Sequence, residues 1–174
     1  MGFISKYAHM YVSAAGLTLR IAFFGIIFSL ILGAFCSMVQ YFKIPVIRRI
    51  VGVYIELSRN TPLLVQLYFI YYGLPKIGIS LSGEMCAIIG LIFLGGSYMS
   101  EAFRSGLDSV EKPQLESAAN LGLSRAQTMR YIVFPQALAT SVPALCANII
   151  FMIKETSVVS AIAVVDLMYV AKDL

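Results

Sequence analysis

Ionisable side chains inside long apolar runs are the part of this sequence with chemistry to do. Glu56 and Arg59 sit in one such run, Glu101 and Arg104 near the end of another, and Lys154-Glu155 at the end of a third. A charge at membrane depth costs about 2.5–3.5 kcal/mol on insertion scales, so each needs a partner, a ligand or a route to the interface. Arg20 and Arg104 lie near run ends and can snorkel. Glu56 and Arg59 are three apart on a helix and can simply pair. Glu101 and Glu155 have two readings: ion pairs with Arg104 and Lys154, or negative charge for a ligand's ammonium or basic side chain. Asn60-Thr61-Pro62 interrupts its run with the chemistry of a helix start, Asn or Thr as N-cap and Pro at the first position. A helix restarting inside a membrane aims free N–H groups at a cavity, where they can hold a carboxylate; the plain alternative is a proline kink tolerated by its neighbours. A zwitterion leaving water needs both charges matched. The ligand-facing set expected on these grounds is Asn60, Thr61, Ser97, Tyr98, Glu101, Glu155, Thr156 and Ser157. The aromatic run Tyr68-Phe69-Tyr71-Tyr72 reads as an outer interfacial belt, with a ligand cage as its alternative.

Other chemistries are excluded. Cys36, Cys86 and Cys146 are far apart in apolar stretches, which suits buried hydrophobes rather than a disulfide framework or a zinc site. The single histidine, His9, has no ligand partner nearby, and no metal cluster appears. There is no G-x-x-x-x-G-K-[ST] to cradle nucleotide phosphates and no Ser/His/Asp set, so the chain is not an enzyme by itself. The net charge of +4 arises from basic residues that flank apolar runs rather than forming a patch, which argues against nucleic acid.

The elements that must position these groups are membrane helices. Of 174 residues, 59% are hydrophobic and 13% charged, with mean hydropathy +0.85, against about 45–50% and about 25% in soluble domains. Such a chain must face lipid. Walking from charge to charge predicts one all-α membrane domain over 1–174, with spans at about 16–42, 48–74 (broken), 85–106 and 131–153. A loop occupies about 107–130, and a re-entrant or interfacial helix about 157–171. The start of the chain lacks the features of a removable signal. Lys43, Arg48 and Arg49 after the first span and Arg104, Lys112, Arg125 and Arg130 after the third, against Lys76 alone after the second, put the first and third loops inside and the N-terminus outside.

Residues 112–131, KPQLESAANLGLSRAQTMRY, are the long stretch that reads as an amphipathic soluble element. Pro113 and Glu116 suit a helix's first turn, and Leu115, Ala118 and Ala119 line one side. Gly122 should end that helix. Ser124 and Gln127 have capping-box spacing, so a second short helix begins there. By physics alone this is either an interfacial hairpin or a docking element.

Glu116-Ser117-Ala118, Leu121-Gly122 and Ile132-Val133-Phe134-Pro135 closely resemble the E-A-A-x-x-x-G…I-x-L-P loop of the membrane subunits of ABC importers, with Ser117 and Phe134 as departures. Arg59-Asn60-Thr61-Pro62, Tyr71-Tyr72-Gly73-Leu74-Pro75, Tyr98-Met99-Ser100-Glu101 and Lys154-Glu155-Thr156-Ser157 narrow the resemblance to permeases for polar amino acids. That family usually shows R-G-T-P and K-D-T-S, so Asn60 and Glu155 are departures that could bear on substrate choice. The resemblance implies an inner-membrane permease whose loop, at Glu116, Ser117, Ala118, Leu121 and Gly122, enters a cleft of a cytoplasmic ATPase. ATP and Mg would sit on that ATPase, with no cofactor on this chain. It further implies a second, identical or related permease subunit and an extracytoplasmic binding protein that delivers the amino acid. Such permeases normally have a fifth span, so the resemblance implies a final span that this sequence does not include. An ion-coupled secondary transporter and a non-transporting scaffold are the competing readings.

Overall fold

A chain in hydrocarbon must satisfy its backbone internally, and this one does so with helices throughout. The structure, a computed structural model, describes the backbone of residues 2–173 and the side chains of residues 7–173. Met1 and Leu174, the outer limits of the predicted domain, and the side chains of the first residues lie outside the described residues. In chain order come α1 (Gly2–Tyr41), α2 (Ile47–Asn60), α3 (Leu63–Tyr68), α4 (Gly83–Asp108), α5 (Lys112–Asn120), α6 (Arg125–Thr128), α7 (Phe134–Glu155) and α8 (Leu167–Asp173). Three stretches are long and apolar enough to cross a membrane as single helical runs, at 7–41, 83–108 and 125–162. The apolar stretch 48–74 is instead divided: α2 stops at Asn60, α3 follows, and a π-turn (Phe69–Gly73) leads into a 3₁₀ turn.

Prolines explain the irregular turns. Pro75 and Pro135 lack an N–H and crowd the carbonyl four residues back. In each case the helix widens just upstream: Leu74 N–H bonds to the Phe69 carbonyl, and Phe134 N–H to that of Met129, each five residues back.

Helix α4 is the central post. Helix α1 runs parallel to it, with Arg20 on Glu84, Ser29 on the Leu91 carbonyl and Gly33 on Met99. Helices α2 and α7 run antiparallel to it: Tyr54 and Ser58 both donate to the Phe93 carbonyl at 2.8 Å, and Asn148 to that of Tyr98 at 3.1 Å. Backbones come close because side chains at the crossings are small. A Cβ on Gly33 would lie 2.5 Å from that of Met99. Ile21, Leu67, Leu91, Met99 and Met152 fill the common core. At one end of the bundle Tyr41 packs with Leu107, Val133 and Leu115, so the α1–α2 turn and the α4–α7 loop share that end. At the other end Gly83 meets Val164, and Leu167 N–H bonds to the Thr18 hydroxyl.

Candidate functional site

Two sites follow from this scaffold, a loop at one end and a cavity where α2 breaks. The loop is built by local capping. Pro113 lies in the first turn of α5, and Gly122 ends it with φ +76°, a left-handed backbone that costs other residues about 1–2 kcal/mol. Leu123 N–H bonds to the Ala118 carbonyl and Gly122 N–H to that of Ala119, closing the helix end with the paired bonds of a Schellman cap. Ser124 then accepts from Gln127 N–H at 3.3 Å while the Gln127 side chain accepts from Ser124 N–H at 2.8 Å, the reciprocal cap expected from sequence. Ala118 is buried against the bundle, whereas Glu116, Ser117 and Gly122 are exposed and Leu121 is 80% exposed at the tip.

The break in α2 differs from the helix start expected at Asn60-Thr61-Pro62. Asn60 is the last residue of α2, and its side chain donates back to the Glu56 carbonyl at 2.9 Å instead of capping α3. Thr61 is extended, because the ring of a following proline pushes its predecessor out of the helical region. Pro62, with ψ 143°, stands before the first helical residue rather than at it. The carbonyls of Ser58 and Thr61 are both taken by the Gln66 side-chain amide, at 3.0 and 2.8 Å. Gln66 is 7% exposed, and its own oxygen has no partner.

Beside this break lies a cavity of about 290 Å³ lined by Arg59, Asn60, Thr61, Tyr98 and Glu155, with Phe151 between the last two. The Arg59 guanidinium lies 5.2 Å from the centre of the Tyr98 ring, which packs 5.2 Å from Phe151. Glu155 makes no ion pair among the described residues, so its expected alternative partner, Lys154, is not engaged. The lining thus holds a guanidinium, which Glu101 also engages at 3.3 Å, and a carboxylate with no ion-pair partner among the described residues.

Four residues of the expected set lie away from the cavity wall. Ser97 is buried between α2 and α4, accepting from Ser58 at 2.9 Å and donating to the Leu94 carbonyl at 2.7 Å. Glu101 bridges Arg59 at 3.3 Å and Arg104 at 3.1 Å, and Arg104 continues to Asp108 at 3.4 Å. Arg59 thus pairs across two helices, not with Glu56, whose exposed carboxylate has no ion-pair partner among the described residues. Thr156 is buried with its hydroxyl on the Ile153 carbonyl, and Ser157 is exposed.

A profile of binding-protein-dependent transport system inner membrane components matches residues 25–172. The chain belongs to that family. The chain is 37% identical to the probable glutamine ABC transporter permease GlnP of Bacillus subtilis (strain 168), over 99% of this chain and 81% of that one. It is 36% identical to the probable amino-acid ABC transporter permease PatM of Vibrio harveyi, over 88% and 70%. A solved amino acid ABC transporter crystallised with histidines superposes with TM-score 0.91 at 34% identity, over 99% of this chain and 82% of that one. The MetNI methionine transporter, at TM-score 0.74 and 19% identity over 90% and 76%, shares the fold. As a binding-protein-dependent inner membrane component, the protein is a multi-pass permease subunit of an ABC transporter and not itself catalytic; the secondary-transporter and scaffold readings find no support.

Three residues of the permease's cavity region escaped the sequence reading. Spacing along one helix offers Arg59 the Glu56 carboxylate, whereas the structure pairs it with Glu101 of a facing helix. Phe151 looks like any lipid-facing aromatic. Gln66 was passed over, although a lone amide shortly after a proline break, in an otherwise apolar run, is costly without backbone to satisfy.

Proposed function

We propose that this permease forms the translocation path of an ATP-driven importer of polar amino acids. The observation that carries the reading is the doubly capped helix–bend–helix, exposed through Leu121 and Gly122, that joins two membrane-crossing helices. Glu116, Ser117, Leu121 and Gly122 are the exposed docking residues for a separate cytoplasmic ATPase, which carries ATP and Mg, and Ala118, buried, completes the coupling set by seating the loop on the bundle. Closure of an ATPase pair then moves α4 and α7 through this loop and opens the path in alternation. A second permease subunit, the same or related, completes the path, and an extracytoplasmic binding protein delivers the substrate. The chain lies in the bacterial inner membrane with the loop inside and the N-terminus outside. That orientation is supported by Lys43, Arg48 and Arg49 sharing the loop's end of the bundle.

The substrate is held beside the break in α2, its carboxylate toward Arg59, Asn60 and Thr61 and its ammonium toward Glu155. Tyr98 shapes the wall, and Thr156 and Ser157 form the adjoining turn. Ser97 and Glu101 act one step back, Ser97 by joining α2 to α4 and Glu101 by holding Arg59. The names of the relatives, two amino-acid permeases and a transporter crystallised with histidines, support this substrate class.

Uptake into vesicles tests the class: it should require internal ATP and survive collapse of the ion gradients, and uptake that follows the gradient instead refutes it. Within the assembled transporter, Glu155→Gln should raise the substrate concentration for half-maximal ATPase stimulation roughly tenfold, equivalent to about 1.4 kcal/mol. Unchanged substrate dependence removes Glu155 from the site.

A further inference from the structure

The turn between α1 and α2 carries a cavity that plays no part in the reading above. It is about 510 Å³, lined by Gln40, Lys43, Arg48 and Arg49, and it lies at the same end of the bundle as the loop. None of the three cations has an ion-pair partner among the described residues, although Asp108, Glu111 and Glu116 belong to the same end. Among the described residues the one side-chain bond in the cluster is from Arg48 Nε to Gln40, at 3.4 Å. Lys43 and Val46 both have positive φ, +53° and +69°, and Ile47 N–H bonds to the Pro45 carbonyl at 2.8 Å across Val46, which folds the turn tightly enough for cations on either side of it to border one space.

What surrounds this cavity identifies its occupant. Ile44, Val46 and Ile47 are exposed around it, Val46 by 70%. Their apolar surface continues along both helices, as Phe35 and Met38 on α1 with Phe42 just past its end, and as Ile50, Val53 and Leu57 on α2, each exposed. Exposed apolar stripes of this kind suit hydrocarbon, and with acyl chains along them the cavity sits where acyl chains end and headgroups begin. A soluble anion would meet the charges without using the rim; a phosphate carrying acyl chains uses both.

We propose that Lys43, Arg48 and Arg49 form a headgroup site for an anionic phospholipid of the inner leaflet. The cations hold the phosphate while the acyl chains lie along the exposed faces of α1 and α2. Basic residues at this height set orientation in any membrane protein; the site adds selection of one headgroup charge over another at a defined place.

The test uses the assembled permease–ATPase complex in mild detergent, delipidated and titrated with phosphatidylglycerol or with phosphatidylcholine of the same acyl chains. Bound lipid is counted by native mass spectrometry. The wild type should retain phosphatidylglycerol at concentrations where phosphatidylcholine is lost, and 10 mM inorganic phosphate should not displace it. Each cation replaced should cost roughly fivefold in phosphatidylglycerol affinity, so Arg49→Gln falls partway and Lys43→Gln/Arg48→Gln/Arg49→Gln loses the preference. Lys112→Gln, on the docking loop, should leave retention unchanged. Equal retention of the two lipids by the wild type overturns the proposal, and does so even if the triple variant fails to assemble. Displacement by inorganic phosphate assigns the cavity to a free anion and overturns the lipid source. Loss of the ATPase from the triple variant with unchanged lipid retention makes the patch a protein contact and overturns it as well.

Discussion

Replacing Gln66 by methionine, which keeps the length and most of the volume while deleting the amide, strands the two carbonyls at the break in α2. Gln66 donates to Ser58 and Thr61 from a position 7% exposed, so water does not readily replace it. Leaving a buried polar group unpaired costs about 1–3 kcal/mol. Two carbonyls therefore lose about 4 kcal/mol at mid-range, and removal of the partnerless Gln66 oxygen returns about 2. The net expectation is destabilisation by about 2 kcal/mol, or a fall of roughly 4–8 °C in the unfolding midpoint for a chain of this size. Because Ser58 also anchors α2 to Ser97, the effect should reach the cavity wall. The assay is loss of the permease from its gel-filtration peak after heating, followed by substrate titration of ATPase activity in the surviving complex. Gln66→Met with an unchanged midpoint and unchanged half-saturation refutes the idea that this amide holds the break. Gln66→Glu should be worse than Gln66→Met, because an ionised carboxylate would face the same two carbonyl oxygens.

Gly122→Leu should leave the membrane helices folded but abolish stimulation of ATPase activity by loaded binding protein, since a left-handed position then carries a branched side chain; normal uptake by a well-expressed variant would dismiss the docking assignment. Leu121→Asp should weaken ATPase co-purification at least tenfold, read by pull-down, because the tip is 80% exposed and the proposed docking would bury a charge there. Glu101→Gln removes the bridge between Arg59 and Arg104; the thermal midpoint should drop and half-saturation shift less than in Glu155→Gln, and a larger substrate effect from Glu101→Gln would reverse the roles given to the two carboxylates. Gly33→Val should prevent assembly, measured as loss of the detergent-stable complex, because even a Cβ would come within 2.5 Å of Met99.

Features set within a few residues were legible from the sequence. The Ser124–Gln127 cap and the bend at Gly122 depend on contacts three to five residues long, and type plus spacing suffices to read them. The break in α2 was located correctly but misassigned, because preference for Asn or Thr at helix starts competes with the extension that Pro62 forces on Thr61. Pairing across helices was out of reach. Arg59 chooses Glu101 over the nearer Glu56 because α2 lies antiparallel on α4, and nothing in a spacing of three reveals that. The cavity's membership failed in the same way: Glu101 and Glu155 are both carboxylates at run ends, and only packing makes one a strut and the other free.

The parallel pairing of α1 with α4 also dictates an order of events during synthesis. Contacts such as Ser29 with Leu91 span 62 residues, and Arg20 with Glu84 spans 64. When α1 leaves the insertion machinery its principal neighbour has not been translated, so the Gly33 groove and the Ser29 hydroxyl meet only lipid. The chain must recross the membrane through α2 and α3 before α4 arrives on the matching heading. A nascent permease arrested before Gly83 therefore holds α1 packed only against α2, its Ser29 hydroxyl without the Leu91 carbonyl, a species that quality-control proteases would be expected to clear. Once α4 docks, the small-residue crossing and the α1 hydroxyl close together. Membrane insertion and helix association are thereby linked in time, and the last-made half of the central pair decides whether the first-made half survives.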